Sequence, residues 1–275
     1  MATGHEDTTL HKALVDIRDS VESLNDSLSL RHVADLSGFK NVLDSKLLAR
    51  TSPDYPLVVS IAGGGSTGKS TLFNAMTGGA NSIAKARAGL TRRTLAAIHQ
   101  DVLRREGFLE NLFSPFSEIP TPLKSQTELT EPGSPRYIEC SAISPSIVLL
   151  DTPDFDTGDS ARLFNRDIAK PVLEASDVII YTFTGTTYNN RANTQFLGSV
   201  LRDLGCRKVA LVYRCYSSLP EEEVREHAEV VLENIYGKDS TQWCLGIYRV
   251  DEENLVAEGK KPAVIRPLSG GLPLY

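Results

Sequence analysis

The chain has 275 residues, 41% of them hydrophobic, and a formal net charge of −6. That length holds one full α/β domain with an appended segment, and the mild acidity argues against a nucleic-acid binder, which carries a basic field. The four cysteines, Cys140, Cys206, Cys215 and Cys244, form no C-x-x-C pair and have no histidine cluster beside them. A zinc site or disulfide framework is therefore not expected, and a reducing, cytoplasmic setting is. No apolar run approaches the ~18 residues of a membrane span, so no integral membrane segment is expected.

Residues 1–50 read as an N-terminal helical segment. Leu10, Leu14, Ile17, Val21, Leu24 and Leu28 recur at alternating steps of four and three, which places them on one helix face. Three heptads support a helix packed on its own domain better than a coiled coil. A second short helix is expected near Lys40 to Arg50, and Ser52, Pro53, Asp54 and Pro56 then break the chain.

Residues 51–255 read as the main domain. Strands are expected over Leu57–Ala62, Leu95–His99, Ser146–Leu150, Val178–Phe183, Lys208–Tyr213 and Cys244–Val250. Helices are expected over Gly68–Met76, Ser160–Ser176 (with a kink at Pro171), Asn190–Leu204 and Pro220–Tyr236. Buried strands alternating with helices predict an α/β fold, a mostly parallel sheet covered by helices on both faces. Residues 114–146, rich in proline, serine and threonine, read as a long loop or insertion, and residues 256–275 as a tail punctuated by glycine and proline.

Residues 63–70 read GGGSTGKS and satisfy G-x-x-x-x-G-K-[ST], between an expected strand and an expected helix. Glycines let backbone N–H groups curl round a phosphate without Cβ clashes, and the helix N-terminus adds its positive dipole end. The phosphate-binding set is thus Gly63, Gly64, Gly65, Ser66, Thr67, Gly68, Lys69, Ser70 and Thr71. Lys69 can reach the β- and γ-phosphates, and the Ser70 hydroxyl can ligate Mg²⁺. Asp151 ends an apolar strand at the sheet edge where ligands bind, and there it can hold Mg²⁺ through water.

The run GGGSTGKST resembles the first motif of dynamin-like GTPases, with Ser66 ahead of the Gly-Lys pair. AGLTRRTLAAIH resembles their switch I and maps its threonine onto Thr91. LLDTPDFDT resembles the third motif, D-x-x-G. The chain is similar, over roughly Leu57 to Val250, to a dynamin-like P-loop GTPase G domain of the bacterial type. That resemblance implies GTP as the bound nucleotide, Mg²⁺ held by Ser70, Thr91 and Asp151, and hydrolysis served by Ser66 and Thr91. A homodimer through the nucleotide face is an open alternative.

Two positions depart from the family pattern. Asp154 stands where the third motif has glycine. The fourth motif, N/T-K-x-D, is replaced by Tyr213-Arg214-Cys215-Tyr216, without the aspartate that reads guanine. Arg214 can take over the lysine stem against the base, and Tyr213 or Tyr216 can stack. Lys85, Arg87, Arg92 and Arg93 form a cationic cluster beside the switch, which reads equally as a phosphate-facing patch and as a solvated loop. Arg191, after a strand's C-terminal edge, is a lesser candidate for an arginine finger. Two other readings stay open: a nucleotide-binding switch that hydrolyses little, and an ATP-using phosphotransferase.

Overall fold

The structure, a computed structural model, describes residues 4–28, 43–52, 54–84, 91–114, 116, 118–154, 159–203, 207–238, 240–253, 256, 261 and 263–268. Among the described residues, nine strands form one sheet: β1 (Leu57–Gly63), β2 (Leu95–Ile98), β3 (Thr121–Pro122), β4 (Arg136–Glu139), β5 (Ile147–Asp151), β6 (Val178–Thr184), β7 (Lys208–Cys215), β8 (Cys244–Asp251) and β9 (Ile265–Pro267). Their order is β3-β4-β2-β5-β1-β6-β7-β8-β9. The β2–β5 and β8–β9 pairs are antiparallel and the rest parallel.

Side-chain alternation assigns the two faces. Tyr181, Phe183, Leu211 and Tyr213 point into one core, packed by α5 (Asp159–Ala175), α6 (Arg191–Asp203) and α7 (Glu221–Tyr236). Ile180, Ala210 and Val212 point into the other, with Leu72 and Phe73 of α2 (Lys69–Thr77). A third cluster joins Val58, Ala96, Val148 and Leu150 to two short helices, α3 (Gln100–Leu103) and α4 (Phe108–Leu112). The expected α/β sheet covered on both faces is the architecture observed, and Pro171 lies inside α5.

Several expectations need correction. Residues 114–146, expected as a long loop or insertion, carry β3, β4 and a 3₁₀ turn at Gln126–Thr130, whose Ser125 and Glu128 form a capping box. Pro122 is tolerated within β3 because β3 is an edge strand. His99 ends β2 and does not lie on it; its Nδ1 accepts the Asp101 N–H at 3.2 Å and caps α3. The tail contributes β9, which closes the other edge. The first helix, α1 (Gly4–Leu28), packs only in part, since Leu10, Ile17 and Leu24 of its apolar stripe are exposed.

Candidate functional site

β1 delivers the glycine loop to the C-terminal edge of the sheet, and α2 leaves from it. Gly63 is required by crowding: a Cβ there would come within 2.4 Å of the Thr182 carbonyl. Gly68 caps α2 in the left-handed region, with φ 96°, and Ser66 also adopts positive φ at the exposed crest. Thr67 Oγ1 donates to the Gly64 carbonyl at 2.9 Å and meets Thr182 Oγ1 at 2.8 Å. These bonds hold the loop closed from within, so its curvature is built into the chain itself.

Lys69 is only 4% exposed. Its Nζ donates to the Gly64 carbonyl at 2.7 Å and to the Asp154 carboxylate. The acid at the departing position of the third motif therefore neutralises the loop lysine directly.

Asp151 closes β5 and is fully buried. Its Oδ2 accepts the Ser70 hydroxyl at 3.0 Å and the Ser82 hydroxyl at 2.6 Å. Burial pushes its carboxyl up to about 6; the Ser82 bond, the Lys69 charge and the Ser70 bond pull the other way, and Asp154 adds to the rise. Oδ1 is buried with no hydrogen-bond partner among the described residues. An orphaned carboxylate oxygen beside a serine hydroxyl fits Mg²⁺, a hard cation that takes oxygen ligands.

Ser82 carried no motif in the sequence. It is positioned by Asn74, whose Oδ1 accepts the Ser82 and Asn81 N–H groups at 2.7 and 2.9 Å and whose Nδ2 donates to the Ser82 carbonyl. Thr91 is buried four residues before Leu95, which pairs with Asp151 in the antiparallel register. It thus lies toward the same sheet edge, although no side-chain bond joins it to Ser70 or Asp151 among the described residues.

The cationic cluster does not act as one group. Arg93 is buried, with Nε donating to the Glu131 carbonyl at 2.5 Å and Nη2 to the Pro132 carbonyl at 3.0 Å. Arg92 is exposed, and Lys85 and Arg87 lie outside the described residues. Arg191 is exposed at the start of α6.

On the far side of the loop, Arg214 donates to the Ser66 carbonyl at 3.0 Å and to Glu252 Oε1 at 2.5 Å, and its Cδ packs close to Gly68. The two tyrosines do not join it. Tyr213 is buried on the opposite face, with its hydroxyl 2.8 Å from His227 Nδ1 and its ring stacked on Phe183. Tyr216 is 70% exposed. Alternation along β7 sends Tyr213 and Arg214 to opposite faces, a separation that residue type alone did not reveal.

The family described as 50S ribosome-binding GTPase matches residues 58–213. No curated protein is similar enough to count as a match. Two solved chains of an oligomerised bacterial dynamin pair, described as sensing and tethering membranes at long range, superpose with TM-scores of 0.52 and 0.51 at 14% identity. They cover 95% and 92% of this chain, which spans only 49% and 40% of theirs. Era of Aquifex aeolicus bound to GDP and AlF₄⁻ aligns at 19% identity with a TM-score of 0.45, over 79% of this chain and 58% of that one. With more than half of its length matched and a glycine loop, buried lysine and strand-ending aspartate set on one sheet edge, the chain belongs to the 50S ribosome-binding GTPase family and shares the fold of the bacterial dynamin chains.

Proposed function

We propose that the chain is a Mg²⁺-dependent GTP hydrolase of the dynamin-like kind. The observation that carries this reading is the Lys69–Ser70–Asp151 corner. A buried lysine turned into the glycine loop sits beside a hydroxyl and an orphaned carboxylate oxygen. Backbone N–H groups of residues 63–71 wrap the phosphates, and Lys69 exchanges Asp154 for the β- and γ-phosphate oxygens. Ser70, Thr91 and Asp151 would hold Mg²⁺, which would offset the negative charge of the phosphates. Thr91 positions the attacking water, Ser66 at the loop crest polarises it, and the Arg214 stem lies against the base. The GTPase family membership weighs against an ATP-using phosphotransferase. The nucleotide face is the first surface to test for self-pairing, because the bacterial dynamins of the same fold are oligomerised.

The test is phosphate release with and without Mg²⁺. Thr91→Ala should lower kcat by on the order of a hundredfold while changing nucleotide affinity severalfold at most. A second reading, a nucleotide-binding switch that hydrolyses little, is favoured by the Lys69–Asp154 pair. It takes over if the unmodified protein binds GTP but releases no phosphate at high protein concentration.

A further inference from the structure

We propose that Glu252 selects the purine base, in place of the aspartate missing from the fourth motif. The inference rests on the GTPase reading above. A pocket lined by Thr67, Gly68, Arg214, Val250, Glu252 and Val256 opens directly off the phosphate loop. A nucleotide with its phosphates on that loop would place its base there. Tyr216, which stands where the reading aspartate belongs, is 70% exposed, and Tyr213 and Cys215 are buried on the other face in the α5–α7 core. From this stretch of β7 only Arg214 faces the pocket, and a guanidinium cannot accept the N–H groups of guanine.

The acceptor comes instead from the neighbouring strand. β8 pairs Asp251 with Cys215, and the Glu252 N–H donates to the Cys215 carbonyl at 2.8 Å, holding the residue one step past the strand end. Three acids line this wall, and two are committed elsewhere. Asp251 is held by Arg249 at 3.1 Å and by Arg266, and Glu253 by Lys261 at 2.8 Å. Glu252 is tied through Oε1 to Arg214, which is itself anchored on the Ser66 carbonyl. Oε2 carries no bond among the described residues. A carboxylate has about four lone-pair sites, so one held by a single arginine can still accept two N–H groups. Guanine offers N1–H and the 2-amino group side by side. Adenine offers a ring nitrogen acceptor and a C–H at the same place, which leaves the carboxylate unpaired.

Calorimetric titration with GDP, IDP and ADP at one Mg²⁺ concentration tests this. IDP keeps N1–H and lacks the 2-amino group. The unmodified protein should bind GDP about tenfold or more tightly than IDP, and more tightly again than ADP. Glu252→Gln should lower GDP affinity by about tenfold or more with ADP little changed, while Glu253→Gln leaves the ratio alone. Equal affinity of the unmodified protein for GDP and IDP overturns the assignment without any variant. An equal loss of GDP and ADP in Glu252→Gln also overturns it, since the side chain would then only prop Arg214. If no diphosphate binds the unmodified protein, the GTPase reading itself has failed.

Discussion

Lys69 and Asp154 share one buried contact, their side chains 4% and 10% exposed. A triphosphate on the loop must take the lysine from the acid. Lys69→Ala should therefore weaken GTP binding at least tenfold, since losing one charge-assisted bond costs ~1.5–3 kcal/mol and the lysine would make several. Asp154→Gly should act in two directions. It removes the competitor and tightens GTP more than GDP, by about tenfold, yet leaves a buried lysine unpaired and lowers the melting temperature of the free protein. Equal GTP and GDP affinities before and after the change would show that the acid does not compete. Asp151 gives a pH signature. Its folded-state value of about 6 lies above the ordinary 3.8, so the folded state holds the proton more tightly, and stability falls as pH rises from about 4 to 6. Asp151→Asn should therefore melt roughly a few degrees higher than the unmodified protein at pH 7.5 without metal, and alike at pH 4. Melting curves from pH 4 to 8 check this, and a pH-independent difference counts against it.

Between elements, two close approaches carry the packing. Gly198 on α6 faces the C-terminal turn of α7. An added Cβ would come within 2.6 Å of the Ile235 carbonyl, which already accepts Arg202 Nη1 at 2.7 Å. Gly198→Ala should cost about 1–3 kcal/mol by forcing the helices apart, measured by denaturant unfolding. Arg93 ties the start of β2 to the turn at Glu131–Gly133, where a Cβ on Gly133 would lie 3.0 Å from the guanidinium carbon. It acts as a buried staple and not as part of a phosphate patch. Arg93→Ala leaves two carbonyls without their donor, costing about 1–3 kcal/mol. The expected readout is faster hydrogen exchange at residues 129–136.

For the whole molecule, α1 is integrated only in part. It rests on the short helical stretch of residues 43–51, where His11 Nδ1 meets Thr51 Oγ1 at 3.0 Å, and it leaves Leu10, Ile17 and Leu24 exposed. The anchoring lies further on: Arg50 donates to the Ala175 carbonyl at 2.6 Å, beside Asp177, whose Oδ2 accepts the Val58 N–H at 2.8 Å. Removing residues 1–42 should therefore leave GDP affinity within about twofold and the ligand-induced rise in melting temperature intact. Loss of nucleotide binding in that truncation would mean that α1 supports the loop from a distance. No described helix is long and apolar enough to cross a membrane.

The glycine loop was legible because its pattern is local: glycines, a lysine and a serine in one unbroken run, with strand before and helix after. The buried strands were legible for a similar reason, since short apolar runs with helices between them have few other ways to bury themselves. Asp151 could be placed at an edge but not given its partners, because Ser82 lies 69 residues away and meets it only through the fold. β3 was hidden by Pro122, which an edge strand tolerates, and β4 by Pro135, which directly precedes it. The fourth motif looked empty on β7 because the acid beside Arg214 follows β8, 38 residues further along the chain. Sequence alone determined where the glycine loop and its lysine stand between strand and helix, since that run is local. Only the tertiary structure decided which acids surround it, because strand pairing, and not chain proximity, brings them there.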